Sequence, residues 1–123
     1  IKLFNSKQDL TNAFQKTALR RLRIGEKVFC LVKNGAEYHL TDGLCPHQKH
    51  TLHEGDLNAF GEIICPLHFY RFNLKTGREA NRLCSDLNVY PLTFKDDGVS
   101  SESGVVALRG NVDSQEPYEA HLQ

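Results

Sequence analysis

Short runs of apolar residues, many of them alternating with polar residues, recur along most of the chain. Alternation with a period of two predicts half-buried strands, and brief runs rich in Val, Phe and Leu predict buried ones. Asn34-Gly35 is the dipeptide of a two-residue hairpin turn. Many short strands separated by turns predict an antiparallel all-β domain. The predicted strands are residues 2–4, 26–33, 38–41, 62–64, 89–94 and 105–108.

One helix is predicted near the start of the chain. Ser6 followed by Asp9 resembles a capping box, and apolar residues then recur at helical spacing, which predicts a helix over about residues 7–18. The basic residues within 16–23 are interpreted as a solvated face. Residues 111–123 show no periodicity and are predicted to be disordered or to lie over the surface. Without a repeat or a break in composition, residues 1–123 are predicted to form a single domain.

The charge balance and the hydropathy limit the classes of partner. With 15 basic and 15 acidic residues the formal net charge is zero, so the chain lacks the basic surplus that neutralises nucleic-acid phosphates. Its apolar runs are only a few residues long, too short for a membrane-spanning helix. No secretory signal is visible, so a cytoplasmic location is predicted. We expect a monomer or a weak oligomer.

Two clusters of cysteine and histidine carry the candidate chemistry. Cys45 and His47 are separated by one residue, and Cys65 and His68 by two, with a proline after each cysteine. Short loops of this kind can present one thiolate and one imidazole each to a common centre. Those donors suit zinc, copper or iron–sulfur sites. The remaining cysteines, 30 and 84, are interpreted as core residues.

The two clusters resemble the ligand motifs of the Rieske family. Residues 45–55 read CPHQKHTLHEG and follow its CPHxxxxLxxG pattern. Residues 65–77 read CPLHFYRFNLKTG and are similar to its CPxHgxxFdlxtG pattern. The resemblance extends more weakly over about residues 26–95. It implies one 2Fe–2S cluster per chain, in which two histidines replace two cysteines on one iron.

The resemblance also implies a fold and a ligand set. The fold is an antiparallel β-sandwich or barrel with a small cluster-binding subdomain, here about residues 43–75. Cys45 and Cys65 would hold the inner iron, and His47 and His68 the outer one. Leu52 would shield the cluster, and Gly55 and Gly77 would serve turns. His50 and His53 fall at variable places in the pattern and are predicted to face solvent, as is His39.

Three departures from the family pattern are informative. Cytochrome-complex Rieske proteins join the two loops by a disulfide at the positions that are here His50 and Leu67, so that bridge cannot form. They also place a serine and a tyrosine where this chain has Tyr70 and Phe72. Fewer hydrogen bonds to sulfur stabilise the reduced cluster less, which predicts a low potential. Phe69 stands where glycine is usual, with two possible effects: reshaping the loop or covering part of a histidine.

The resemblance implies an electron carrier without a substrate site of its own. Its partners would be a reductase and a terminal oxygenase or other redox enzyme. A related alternative is the small subunit of a larger reductase, similar to those of nitrite reductases. An alternative from another class, a structural zinc module for protein contacts, would use the same four ligands and is distinguished by its lack of colour.

Overall fold

The computed structural model of the protein describes residues 2–96, 98–101 and 120–123. In that part of the chain the polypeptide forms eleven strands, one α-helix and one 3₁₀ helix. In chain order they are β1 (Lys2–Phe4), α1 (Lys7–Asn12), β2 (Leu19–Ile24), β3 (Lys27–Asn34), β4 (Glu37–Asp42), the 3₁₀ helix (Leu52–Glu54), β5 (Asp56–Leu57), β6 (Glu62–Ile64), β7 (Arg71–Asn73), β8 (Val89–Tyr90), β9 (Thr93–Lys95), β10 (Gly98–Ser100) and β11 (Ala120–Leu122).

The strands form three antiparallel sheets. The largest has the order β11-β2-β3-β4-β8, and the other two have the orders β1-β10-β9 and β5-β6-β7. The all-β antiparallel prediction is therefore confirmed. No helix among the described residues is long and apolar enough to cross a membrane.

Strand β3 lies at the centre of the largest sheet and is buried on both faces. Phe29 and Leu31 point into one apolar cluster, whereas Cys30 and Val32 point into another. Successive side chains of a strand face opposite sides of its sheet, so this strand separates two cores. We call the cluster that contains Phe29 the first core and the one that contains Cys30 the second core.

The first core is covered by α1 and by the β1-β10-β9 sheet. Ser6 caps the helix by accepting the N–H of Asp9 at 3.0 Å, and Leu10 is fully buried. The second core is covered by the small β5-β6-β7 sheet, which supplies Ile63 and Phe72. Cys45 and Cys65 also lie in the second core, so both candidate thiol ligands are on this side of β3.

Several sequence predictions match the strands closely. Residues 2–4 and 62–64 form β1 and β6, and the predicted strands 26–33 and 38–41 form β3 and β4 with slightly different ends. The hairpin between them turns one residue later than expected. Asn34 pairs with Glu37, so the central residues are Gly35 and Ala36, with φ +64° at Gly35. Glycine at the first central position is the type II′ requirement.

Other predictions were wrong in extent. The helix ends at Asn12 rather than near residue 18, because the Arg20 guanidinium donates to the Ala13 carbonyl at 2.6 Å and the chain turns toward β2. The basic run is not a simple solvated face. Lys16 is exposed as predicted, but the arginines lie in β2 at half-buried positions, and Leu22 and Ile24 of the same strand are buried.

Two further differences concern the end of the chain. The predicted strand 89–94 is two short strands, β8 and β9, on either side of Pro91, which has no N–H for a ladder. The last residues form β11, which pairs with β2, so they are not irregular as predicted. Predicted strand 105–108 and residues 111–119 of the predicted tail lie outside the described residues.

Candidate metal centre

Two loops of six residues carry the four candidate ligands. The first ligand loop, residues 45–50, follows β4, and the second ligand loop, residues 65–70, joins β6 to β7. Each is closed by the same hydrogen bond, from the N–H of its cysteine to the carbonyl of its sixth residue. The Cys45 N–H donates to His50 and the Cys65 N–H to Tyr70, both at 2.8 Å.

Backbone contacts fix the position of both loops. The Gly43 N–H donates to Val28 at 2.9 Å, and the Leu52 N–H donates to Gly43 at 2.9 Å. A Cβ atom at Gly55 would lie 2.0 Å from the Ile64 carbonyl oxygen. Gly55 is therefore required because its backbone packs closely against the Ile64 carbonyl of β6, rather than because it forms a turn. This contact holds the segment after the first ligand loop against the strand that leads into the second.

The two cysteines lie together in the second core. Cys45 and Cys65 are each 1% exposed, and Leu52, predicted to shield the site, is fully buried in the same cluster. Burial raises the pKa of the Cys65 thiol to about 11; the Leu67 N–H lowers it, and a hydrogen bond with the Cys45 thiol raises it. An uncompensated thiolate is thus unfavourable here, so the pair suits a cation that replaces the thiol protons.

The two histidines lie at the same end of the loops, with ring centroids 5.6 Å apart. His68 is exposed, whereas His47 is half-buried and stacks on the Tyr70 ring, with centroids 4.2 Å apart and an interplanar angle of 19°. The Tyr70 hydroxyl lies 3.3 Å from Nε2 of His47. The other ring nitrogen of His47, Nδ1, is buried without a hydrogen-bond partner from the described residues.

That Nδ1 atom tests whether the site fits a metal cluster. A buried polar nitrogen without a partner is costly, and a metal ligand bond removes the cost. The described residues contain no group of three Cys, His, Asp or Glu side chains that could hold one metal ion. The donors instead form a thiol pair and an imidazole pair. This set fits a 2Fe–2S cluster with two cysteines and two histidines.

The remaining histidines of this region are less exposed than predicted. His50 and His53 are half-buried, and Nε2 of His50 lies 3.8 Å from a Glu54 carboxylate oxygen. Nε2 of His39 lies 3.3 Å from Glu37, with only 14% of the His39 side chain exposed. Burial lowers the pKa of His39, against an opposing effect of Glu37. The prediction that these side chains face solvent was therefore wrong for His39 and only partly right for the other two.

Phe69 adopts the left-handed conformation with φ +58°, and it follows His68 at φ +65°. The side chain of Phe69 is 72% exposed. Its loop nevertheless closes with the same hydrogen bond as the first ligand loop. Phe69 is therefore accommodated without loss of the hydrogen bond that closes the loop.

Cys84, interpreted from the sequence as a core residue, is half-buried and packs against the second core. Burial raises the pKa of its thiol, and the proximity of Cys45 raises it further. The segment that carries Cys84 is held by buried Glu79, whose carboxylate accepts the N–H groups of Asn81 at 3.0 Å and Leu83 at 2.6 Å. An isolated cysteine in an irregular segment carries no sequence signal of this proximity.

Comparison with known proteins identifies relatives. The family model of the Rieske [2Fe-2S] domain matches residues 5–91. The ferredoxin component of the alkene monooxygenase system of Xanthobacter autotrophicus is 38% identical over 69 residues, which cover 56% of this chain and 57% of that protein. Ferredoxin CarAc of Metapseudomonas resinovorans is 32% identical over 85 residues, 67% of this chain and 78% of that protein.

Two solved structures have similar folds. One is a chain of the complex of reduced oxygenase and oxidized ferredoxin in carbazole 1,9a-dioxygenase. It matches with a TM-score of 0.66 and 27% identity, over 83% of this chain and 100% of that chain. The other is the ferredoxin of carbazole 1,9a-dioxygenase from Nocardioides aromaticivorans IC177, with a TM-score of 0.66 and 20% identity, over 82% of this chain and 94% of that chain.

Proposed function

Because this chain belongs to the Rieske [2Fe-2S] domain family, we propose that it transfers single electrons between a reductase and a terminal oxygenase or another redox enzyme. A Rieske domain holds one 2Fe–2S cluster, and we assign Cys45, His47, Cys65 and His68 as its ligands. The observation that carries this assignment is that the buried Nδ1 of His47 has no hydrogen-bond partner within the described part of the chain, while Cys45 and Cys65 are buried together in the second core. When bound, the cluster supplies a one-electron redox couple.

The side chains of the site have different roles in the proposed electron transfer. Cys45 and Cys65 provide two anionic ligands in a pocket closed to water, where Leu52 excludes solvent. His68 lies at the surface, so its ring offers a short path from the cluster to a partner. We propose that the site serves electron transfer rather than catalysis on an organic molecule, as expected from relatives that are ferredoxin components of oxygenase systems.

The named relatives support the choice of partners. Two of them are ferredoxins of oxygenase systems, and one solved neighbour is a complex of ferredoxin with oxygenase. We propose that the present chain likewise accepts electrons from a reductase and donates them to an oxygenase.

A cytoplasmic location and a monomeric or weakly oligomeric state belong to the same proposal. So does a single domain with a cluster-binding part at about residues 43–75. Cys30 and Cys84, the cysteines outside the proposed ligand set, form no disulfide, which supports a reducing compartment.

The first experiment is an absorption and EPR spectrum of the purified protein before and after dithionite, with iron, sulfide and zinc assayed. We expect two irons and two sulfides per chain, and an average g of the reduced protein below that of an all-cysteine cluster. A colourless protein with one zinc would contradict the proposal and favour a structural binding module. Copurification with a large flavin or haem subunit would favour the reductase-subunit alternative.

Ligand variants test the assignment residue by residue. His47→Ser and His68→Ser should each abolish the Rieske spectrum, because each removes one imidazole from the iron. The matched controls are His50→Ser and His53→Ser, which change the same residue type in the same region and should leave the spectrum intact. Loss of the spectrum in either control, or its survival in either ligand variant, would show that the ligand set is wrong.

A further inference from the structure

Resting on the proposed ligand role of His47, we propose that Tyr70 is a positioning residue that holds the His47 imidazole for the cluster. The two side chains belong to different ligand loops, 23 residues apart in the sequence. Neither the assigned ligand set nor the family motif requires a tyrosine at this position.

The geometry constrains the imidazole at two points. The Tyr70 ring covers one face of His47, at 4.2 Å between centroids and 19° between planes. The Tyr70 hydroxyl lies 3.3 Å from Nε2. A ring held on one face and at one nitrogen cannot rotate freely, so the direction of its other nitrogen is fixed. That nitrogen is Nδ1, which is buried and has no hydrogen-bond partner among the residues that the structure describes.

The backbone of Tyr70 connects this contact to the second ligand loop. Its carbonyl accepts the N–H of Cys65 at 2.8 Å, which closes the loop. The two preceding residues, His68 and Phe69, both have positive φ, and they set the direction in which the chain enters Tyr70. One residue therefore closes the second loop through its backbone and supports a ligand of the first loop through its side chain.

This arrangement makes the two imidazoles unequal. His47 is half-buried and supported by an aromatic ring, whereas His68 is exposed. Removing the support should weaken the attachment of the cluster at His47 and change the electronic environment of that ligand alone. A residue that served only the stability of the fold would not change one nitrogen coupling selectively.

The experiment compares Tyr70→Phe and Tyr70→Leu in the cluster-loaded protein. The first variant keeps the stacked ring and removes the hydroxyl, and the second removes both. Matched controls are Tyr38→Phe and Tyr38→Leu, since Tyr38 also has a ring contact, with Phe14 at 5.8 Å, and a hydroxyl contact, with Thr11 at 3.0 Å, but lies against the first core. The readouts are the two histidine nitrogen couplings by pulsed EPR and the rate of cluster loss to an iron chelator.

We expect Tyr70→Leu to lose its cluster about tenfold faster than the wild type, and Tyr70→Phe about threefold faster, in proportion to the contacts removed. One nitrogen coupling should change in both variants, and the other should not. The Tyr38 variants should keep both couplings. If Tyr70→Leu fails to load a cluster, the nitrogen couplings of Tyr70→Phe determine whether Tyr70 positions His47.

Wild-type couplings and rates in both Tyr70 variants would overturn the inference, as would equal effects in the Tyr38 variants. Failure of the proposed function looks different. In that case the wild-type protein itself shows no Rieske signal, and the positioning role falls with it.

Discussion

The two ligand loops share one backbone arrangement, which we call the six-residue frame, but their side chains have different surroundings. Both contain six residues, begin with Cys-Pro and close by a hydrogen bond of 2.8 Å from the first N–H to the sixth carbonyl. The fifth residue has positive φ in each loop, +60° at Lys49 and +58° at Phe69. The histidine, however, is the third residue of the first loop and the fourth residue of the second.

This one-residue difference explains why the histidines have different environments. His47, at the third place, is half-buried against the sixth residue of the other loop, Tyr70. His68, at the fourth place, is itself in the left-handed region with φ +65° and is exposed. Equal backbone frames can therefore present one enclosed and one accessible ligand, depending on where the histidine stands in the frame.

The largest expected effect concerns the potential of the cluster. The Tyr70 hydroxyl contacts the imidazole of the first loop, and the fully buried Phe72 has no hydroxyl. With fewer donors to sulfur, we expect a midpoint potential near the bottom of the Rieske range, roughly −150 mV, measured by voltammetry at neutral pH. A value above about +100 mV would contradict this. Such a value would mean that the second ligand loop donates hydrogen bonds to the cluster sulfur atoms despite the absence of a hydroxyl at Phe72.

A smaller effect is expected where the two loops are joined. Gly55→Ala places a Cβ atom 2.0 Å from the Ile64 carbonyl oxygen, so β6 must shift away from the first loop. We expect the free energy of unfolding to fall by about 3 kcal/mol and the iron content to fall with it. The measurements are denaturant unfolding and iron assay.

The control for this change is Gly35→Ala, in the β3–β4 hairpin. No atom lies within 4 Å of the added Cβ, but the position has φ +64°. It should cost only about 1 kcal/mol and leave the iron content unchanged. Equal iron loss in both variants would indicate that general destabilisation, rather than separation of the loops, releases the cluster.

The sequence predicted the features that depend on local pattern. The hairpin of β3 and β4 follows from two apolar runs around a glycine turn, and the four candidate ligand residues follow from spacing and flanking prolines. The structure brings these residues together in two pairs: both thiols are buried in the second core, and the imidazole centroids are 5.6 Å apart. Their role as ligands remains a prediction.

The features that were missed depend on contacts between distant segments. β11 forms because Ala120 and Leu122 pair with β2, at Ile24 and Leu22. The basic run becomes a strand because its leucines face the cores while its arginines occupy intermediate positions. Likewise, no local pattern could place Tyr70 against His47, because that contact exists only after the two loops have been brought together.

The smallest effect tests whether the shared frame itself demands positive φ at the fifth residue. If it does, both Lys49→Gly and Phe69→Gly remove a left-handed strain of about 1–2 kcal/mol, and each adds about 0.5–1 kcal/mol of unfolded-state entropy. Both side chains are exposed, Phe69 by 72%, so little burial is lost. Each variant should gain about 0.5–1 kcal/mol, seen as a rise of about 2–3 °C in the midpoint of thermal unfolding.

The control for the glycine variants is Gln48→Gly, because Gln48 is exposed in the same loop and is not among the residues with positive φ. Without strain to relieve, it should lose about 0.5–1 kcal/mol. A loss of stability in Phe69→Gly together with a gain in Lys49→Gly would break the equivalence of the two loops. The conformation of the second loop would then depend on contacts of the Phe69 side chain rather than on the six-residue frame.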